Sequence, residues 1–372
     1  MRLTIERAAL LKALTHVQSV VERRTTIQIS SSVLLVAQDS GLKLIATDLD
    51  MEIAETAPAT IHTPGSTCAP VHTLYEFIKR LPDGARVQIS LTGDEPRLFV
   101  SAGQAKLHLP VLQAADFPQM AETGLGARFV VHPAELSRLM AKTRFAISTE
   151  ETRFYLNGVY LHTLANGIGQ MLRAVATDGH RLALAETAAP EGSAPMPGVI
   201  VPRKAVAELM GLLADITEDV EIAVSEQKIR FALGDAVLTS KLIEGSFPAY
   251  DRVIPKQNPR HLRLANRQFK DAVDRVSIIS AERSRSVQLH ACDNKLTLTV
   301  TNPDSGLATE ELDVDFEAEE IKIGFNAKYL LDVSSQISGE DAVFEFADAG
   351  SPTLVRDPED AHALYVLMPL RV

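Results

Sequence analysis

A pattern that occurs three times along the chain limits the fold more than any other feature, because such a repeat copies one structural unit. Each sequence copy opens with a short extended run that passes into apolar residues at helical spacing. Alternating apolar and polar residues around Gly, Asp or Asn turns then predict β-hairpins at 32–48, 158–178 and 286–302. A second helix and further strands complete each copy. The predicted helices cover 7–22, 72–81, 133–145, 203–214, 266–279 and 326–336.

The repeat predicts an α+β fold of three similar domains, each with two helices packed on antiparallel sheets. Gly, Pro and polar residues gather between the copies, near 122–127 and 251–259. We therefore place the domains at 1–124, 125–253 and 254–372. A short αβ enzyme domain that has been triplicated is the competing interpretation.

The charge of the chain is unevenly distributed. Its formal net charge is −11, which by itself argues against nucleic acid as a partner. The predicted helices, however, contain 13 Lys and Arg against 7 Asp and Glu, so they carry +6 and the remainder carries −17. A face built from these helices would attract phosphates without reading base sequence. The alternative is that these charges only solvate amphipathic helices.

Cysteine usage and hydropathy indicate a reducing compartment and no membrane helix. Cys68 and Cys292 stand far apart in no metal-ligand spacing, so we expect each to be a lone buried thiol, and we expect a cytoplasmic location. No apolar run approaches the roughly 18 residues that span a bilayer. We expect no cofactor, no metal and no membrane partner.

One segment, 176–182, contains residues suited to catalysis. Asp178 and His180 could form an acid–base pair beside an anion-binding Arg181, which would predict a hydrolase or transferase. No nucleophile, phosphate-loop or zinc motif accompanies them. A turn that orders a binding surface is the favoured interpretation, and we expect no catalytic residue.

Two further segments, 247–255 and 365–372, combine apolar residues, proline and arginine where linkers and chain ends are usually polar. They favour a shallow apolar groove, rimmed by arginine, that accepts a short peptide. The alternative is that the last strand merely packs into its domain.

The whole chain resembles the beta sliding clamp family of bacterial DNA polymerase III. The resemblance rests on blocks in the same order: AADFP (114–118), FYLNGVYL (154–161), VATDGHRLA (175–183), VIVPRKAVAEL (199–209), FPAYDRVIP (247–255), IGFNAKYLLDV (323–333) and YVLMPLRV (365–372). It implies a head-to-tail homodimer, a six-domain ring around duplex DNA with the helices facing inward. Such a ring would tether the replicative polymerase and bind the clamp loader and other replication and repair proteins through short apolar motifs.

The resemblance also implies three sets of site residues. The partner-peptide groove would comprise Tyr155, Leu156, Thr177, Gly179, His180, Arg181, Leu182, Pro248, Arg252, Val253, Val366, Met368, Pro369, Leu370 and Arg371. Bases facing DNA phosphates would be Arg24, Lys79, Arg80, Lys142, Arg203 and Lys204. The subunit contact would join Lys106, Leu107 and Leu109 of one protomer to Ile278, Ile279, Asp304, Glu310 and Glu311 of the other.

The chain departs from the family's pattern at two places. Residues 26–30 differ from the run that is usual there, and His72 stands at a position where a basic residue is common. A monomeric scaffold that binds peptides without encircling DNA is the second alternative, and its mass in solution would distinguish it from a dimer.

Overall fold

The computed structural model describes residues 1–22, 28–38, 41–91, 97–120, 124–167, 169–280 and 285–370, which contain six α-helices and 25 β-strands. The helices are α1 (Arg7–Val20), α2 (Val71–Lys79), α3 (Pro133–Arg144), α4 (Arg203–Leu213), α5 (Asn266–Ser277) and α6 (Ala327–Ser334). Short 3-10 helices cover Gln28–Ser31, Ala114–Asp116, Glu151–Leu156 and Tyr250–Arg252. Each predicted helix is confirmed, with both ends within two residues of the prediction.

The strands follow the hairpin pattern of the sequence. Strands β1–β9 are Arg2–Glu6, Ser32–Gln38, Gly41–Thr47, Met51–Pro58, Thr60–Thr63, Gly65–Pro70, Arg86–Leu91, Arg97–Ala102 and Ala105–Pro110. Strands β10–β17 are Ala127–Val131, Gly158–Asn166, Gly169–Thr177, Arg181–Ala188, Val199–Pro202, Val220–Val224, Lys228–Leu233 and Ala236–Lys241. Strands β18–β25 are Arg260–Ala265, Ser286–Cys292, Lys295–Asn302, Gly306–Asp313, Ile321–Asn326, Asp341–Phe346, Thr353–Asp357 and Asp360–Leu367.

The chain divides into two compact units. The first unit contains 1–137, 190–197 and 204–242, and the second contains 138–189, 198–203 and 243–372. The first has sheets in the strand orders β5-β1-β7-β8-β9 and β10-β15-β16-β17-β4-β3-β2-β6. The second has sheets in the orders β14-β11-β12-β13-β25-β24-β23-β18 and β21-β20-β19-β22. All of these pairings are antiparallel, as the α+β prediction requires.

Each eight-stranded sheet joins two sequence copies. In the first unit β4 pairs with β17, and in the second unit β13 pairs with β25. Because backbone hydrogen bonds continue across the sequence boundary, the compact units do not coincide with the three copies. The domain limits drawn from sequence therefore stay predictions.

Helix faces close the cores of both units. Helix α1 buries Leu10, Leu14 and Val17 at helical spacing and packs against α2, β3 and β4. Helix α5 packs against α6, and its Phe269 meets Phe344 edge to face at 5.2 Å between ring centroids. Burying each such side chain contributes about 1.5–3 kcal/mol.

The structure also describes the surroundings of the two cysteines and the character of the helices. Cys68 and Cys292 are both free thiols; Cys68 is buried as expected, whereas Cys292 is partly exposed. Burial together with Asp116 raises the pKa of Cys68 to about 11. Among the residues described above, no helix combines the length and apolar character needed to cross a membrane.

Candidate functional site

The second unit contains an apolar groove with a volume of about 200 Å³. Strand ends, the 3-10 helix Tyr250–Arg252 and the end of β25 supply its walls. Its lining residues are Leu156, Thr177, Gly179, Arg181, Leu182, Pro248, Ala249, Tyr250, Val253, Val366 and Met368. All of them except Ala249 and Tyr250 belong to the predicted groove, so the structure brings most of that set together.

The remaining predicted groove residues do not line the cavity. Tyr155, His180, Arg252 and Pro369 each neighbour a lining residue in sequence, and the backbone N–H of Leu370 donates to the Gly324 carbonyl at 2.8 Å. Arg371 lies outside the described residues.

Ala249 and Tyr250 were missed by the sequence reasoning. A signal was available, because both stand inside the FPAYDRVIP block between predicted residues.

A tight turn between β12 and β13 shapes one wall of the groove. The Asp178 carboxylate accepts hydrogen bonds from the backbone N–H groups of His180 (2.9 Å) and Arg181 (3.0 Å). Thr177 Oγ1 accepts from the N–H of Gly179 (3.1 Å) and donates to the Arg181 carbonyl (2.7 Å). Gly179 has a φ of +88°, and a Cβ there would lie 2.8 Å from Nη1 of Arg153. The left-handed backbone of this turn therefore favours glycine at position 179.

The guanidinium of Arg181 fixes this turn to its surroundings. Its Nε donates to Asp178 (3.0 Å), Nη1 to Asp332 (2.5 Å) and Nη2 to the Phe145 carbonyl (2.7 Å). The group also lies 4.4 Å from the ring centroid of Tyr329, and Arg181 is only 6% exposed. A cation this enclosed and paired is an anchor for the groove.

The acid–base interpretation of the same segment finds no support in this geometry. The Asp178 carboxylate bonds to the backbone of His180, not to its ring, and each guanidinium nitrogen of Arg181 already donates to a protein oxygen. Within the described ranges, no three His, Cys, Asp or Glu side chains lie close enough to hold a metal ion.

The first unit repeats the turn but has different residues at the positions that correspond to the groove. Thr47 and Asp48 make the corresponding bonds to the backbone of residues 49–51. Strand register gives the counterparts of the groove residues. Leu182 pairs with Val366 in the second unit, whereas Glu52 pairs with Thr239 in the first.

The counterpart of Met368 is also polar. Met368 donates its N–H to the His180 carbonyl, and Lys241 donates its N–H to the Asp50 carbonyl in the same way. Lys241 also forms an ion pair with the Asp50 carboxylate at 2.8 Å. In the first unit, polar residues therefore occupy the positions whose counterparts form the apolar groove of the second unit.

Five residues of the predicted subunit contact lie on strands at sheet edges, β9 in the first unit and β21 in the second, while Ile278 and Ile279 follow α5 and Asp304 precedes β21. Near β21, Ile278 is 81% exposed, and Leu307 is also exposed. Ile279 is partly buried, and its carbonyl accepts from Asn302.

The charged residues of this predicted contact are at the surface. Lys106, Asp304 and Glu311 are exposed, and Glu311 bonds to Lys295 at 2.7 Å. Glu310 accepts from Arg275 at 3.0 Å, and this hydrogen bond lowers the pKa of the Glu310 carboxyl.

One interface prediction needs correction. Alternation along β9 places Leu107 and Leu109 on the same face of the strand, but Leu107 is partly exposed whereas Leu109 is only 4% exposed, so the Leu109 side chain is already packed within its own unit. Its side chain is therefore not available for a contact with another subunit.

The predicted DNA-facing bases fall into different environments. Arg203 and Lys79 are exposed, with Lys79 5.5 Å from the Tyr75 ring centroid, and Arg80 is held by Glu76. Lys204 donates to the Val20 carbonyl (2.8 Å) at the end of α1 and pairs with Asp48 (2.5 Å). Arg24 lies outside the described residues.

The prediction that Lys142 faces DNA also needs correction. It is 8% exposed, and its ammonium donates to the Gln336 carbonyl and to Ser338 Oγ (2.8 Å). Burial lowers the pKa of Lys142, although Asp360 acts in the opposite direction. A buried, bonded ammonium cannot contact a phosphate, so we remove Lys142 from the predicted set.

The unusual His72 has a structural partner. Its Nε2 lies 3.1 Å from the Val21 carbonyl, directly after α1. A carbonyl only accepts, so the ring donates and helps to fix the end of that helix.

Comparison with known proteins identifies related chains along the whole length. Models of the DNA polymerase III beta subunit match its N-terminal domain at 1–121, its central domain at 130–249 and its C-terminal domain at 251–371. The beta sliding clamp of Caulobacter vibrioides is 59% identical over 372 residues, and that of Escherichia coli K12 is 37% identical over 374 residues. Both comparisons cover 100% of each chain.

Solved structures agree with these relatives. A crystal structure of the Caulobacter crescentus beta sliding clamp with PEG bound has a TM-score of 0.98 at 59% identity, covering 100% of this chain and 99% of that one. A Bartonella birtlesii sliding clamp bound to griselimycin has a TM-score of 0.97 at 46% identity, covering 100% of both chains. Three matching domain models and full-length relatives lead to one conclusion: the chain belongs to the DNA polymerase III beta subunit family, the bacterial beta sliding clamps.

Proposed function

We propose that two protomers of this chain close head to tail into a ring around duplex DNA, and that the groove of the second unit holds the replicative polymerase on that ring. As a DNA sliding clamp the chain is a processivity factor and not an enzyme. The observation that carries the partner-binding part is the groove itself, an apolar cavity held by the buried Arg181. We place this activity in the cytoplasm, where bacterial DNA is replicated.

The subunit contact that we propose pairs β9 of one protomer with β21 of the other. Both are edge strands, so each has backbone donors and acceptors without a partner strand on one side. The exposed Ile278 and Leu307 would lose contact with water when the edge is covered. Lys106 on one edge and the acidic Asp304 and Glu311 beside the other have complementary charge.

Sliding would follow from topology and weak electrostatics. Exposed bases such as Lys79 and Arg203 attract phosphates without reading bases, so the ring shifts along the helix at little cost. A polymerase tethered to the ring stays at high effective concentration near the primer end and rebinds after each dissociation.

The occupant of the groove that we propose is a short, mostly apolar peptide segment of the polymerase, the clamp loader or another replication or repair protein. A cavity of about 200 Å³ accommodates a few apolar side chains. The related Bartonella clamp is bound to griselimycin, and we propose that griselimycin occupies this groove in the present chain.

Met368→Lys tests the groove, because it introduces the residue that the first unit has at the corresponding position. We expect griselimycin affinity, measured by calorimetry, to fall at least about tenfold, since a lysine would place charge on an apolar wall. Val130→Lys, at an exposed apolar residue outside the groove, is the matched control and should bind like the wild type. Undiminished binding by Met368→Lys would show that the groove is misassigned.

A further inference from the structure

Tyr250 connects the groove to a partly buried polar network. Its side chain lines the cavity, while its hydroxyl lies 2.9 Å from Nε2 of His162 and 3.1 Å from Nη1 of Arg173. Neither His162 nor Arg173 lines the groove. Arg173 is held in turn by Glu186, which accepts from its Nε at 2.8 Å and from its Nη2 at 2.6 Å. The hydroxyl of a groove residue is therefore fixed from behind.

Aromatic rings support the same residue. Tyr160 stacks on Phe247 with ring centroids 4.9 Å apart and on His162 at 4.6 Å. Tyr250 meets the rings of Tyr160 and Phe247 edge to face at 6.5 Å and 6.4 Å. Edge-to-face and stacked pairs are favoured by the ring quadrupoles, so the arrangement restrains the tilt of the Tyr250 ring.

The hydrogen bonds define the proton positions. His162 Nδ1 lies 3.3 Å from the Thr163 carbonyl, which can only accept, so the neutral imidazole bears its proton on Nδ1. Its Nε2 then accepts from the Tyr250 hydroxyl. Arg173, which is always a donor, supplies the second bond to the Tyr250 oxygen. Every partner in this network has a complementary role only while His162 is neutral.

We propose that His162 and Arg173 are positioning residues of the groove, which set its affinity for an apolar peptide by fixing Tyr250 without touching the ligand. The inference rests on the proposed function of the groove. The inference adds one condition to the proposed function: His162 must be neutral. A protonated His162 would be a second donor to the Tyr250 oxygen and a second cation beside Arg173, so the Tyr250 hydroxyl would lose its hydrogen-bond acceptor.

The protonation state of His162 depends on its burial and on the charges around it. The pKa of His162 is lowered, mainly by burial and also by the charge of Arg173. The hydrogen bond to the Thr163 carbonyl and the charges of Asp251 and Glu186 raise it, but not enough to reverse the decrease. Arg173 lies 3.7 Å from Asp251. His162 is therefore neutral near neutral pH, and griselimycin affinity should fall as the pH decreases through this lowered pKa.

Calorimetry with griselimycin at about pH 5 to pH 8 tests the inference on the full-length protein. We expect His162→Phe, which keeps a stacked ring, to bind about fivefold more weakly at the upper pH and to lose most of the pH dependence. Tyr250→Phe, which keeps the ring in the groove and removes only the hydroxyl, should have the same effect. The double variant should be no weaker than Tyr250→Phe alone, because the loss of the Tyr250 hydroxyl already removes its hydrogen bond to His162.

His290→Gln is the control, because His290 bonds to Glu320 in the four-stranded sheet and should leave the wild-type pH profile unchanged. An unchanged affinity and pH profile in Tyr250→Phe would overturn the inference even if His162→Phe failed to fold. In that case, weakened binding by Met368→Lys would still support the groove. Absence of griselimycin binding by the wild type would overturn both proposals.

Discussion

Leu49 has a φ of +80°, in the position where the second copy of the turn has Gly179 at +88°. A left-handed backbone costs a residue with a Cβ about 1–2 kcal/mol. Leu49 is 42% exposed, so burial of its side chain offsets only part of that cost. The first turn is therefore strained where the second is not.

Leu49→Gly should raise the free energy of unfolding of the first unit by about 1 kcal/mol, because glycine adopts this backbone without strain. Urea denaturation followed by circular dichroism measures the change. Leu49→Ala, which keeps the Cβ and therefore the strain, should give no gain. A glycine variant that is less stable than the wild type would mean that the leucine side chain stabilises the turn more than its backbone strains it.

Arg181→Met should destabilise the second unit by about 3 kcal/mol, because it removes a buried cation and leaves the partly buried Asp178 and Asp332 carboxylates without their partner. Arg80→Met is the matched control. It removes an arginine from an exposed pair with Glu76 and should cost no more than about 1 kcal/mol. Thermal unfolding of the two variants compares them directly, and equal losses would contradict the role of Arg181 as an anchor.

At the scale of the elements, local patterns were sufficient for helices and hairpins. Helical spacing of apolar residues placed all six helices, and α6 begins one residue later than predicted because Asn326 caps it, accepting from the Lys328 N–H at 2.9 Å. Alternation placed the hairpins for the same reason: the side-chain period of a strand is visible in sequence.

Local sequence patterns could not predict which elements distant in sequence contact one another. The pairing of β4 with β17 joins residues that local alternation cannot relate, and so does that of β13 with β25. The same limit explains Lys142, whose position on a predicted basic helix gave no sign of the Gln336 and Ser338 acceptors that bury it. The groove was better predicted because resemblance to a family, and not periodicity, supplied its residues.

The double variant Ile278→Asp and Ile279→Asp should be monomeric. Two carboxylates beside the β21 edge would have to lose water in the contact without partners, which costs several kcal/mol. Analytical ultracentrifugation should give about 40.4 kDa for the variant and twice that mass for the wild type. Val130→Asp, at an exposed apolar residue elsewhere, should stay dimeric, and a dimeric double variant would show that the contact lies on another surface.

For the whole molecule, the segregation of charge matters more than the total. A chain with a net charge of −11 binds DNA as a clamp only if its bases face the duplex and its acids face outward, as the helix charge of +6 against −17 elsewhere predicts. Electrostatic contacts weaken steeply with salt, whereas a closed ring is retained by its topology. Varying the salt concentration and the presence of free DNA ends therefore distinguishes binding by affinity from retention by an encircling ring.

The most direct test compares retention on a nicked circular DNA with retention on the same DNA linearised, after loading by the cognate clamp loader with ATP, at a salt concentration that suppresses electrostatic binding. A ring should persist on the circle and leave the linear DNA rapidly by sliding off its ends. Equal retention on both would mean that the protein holds DNA by affinity alone, and would contradict the proposed encircling ring.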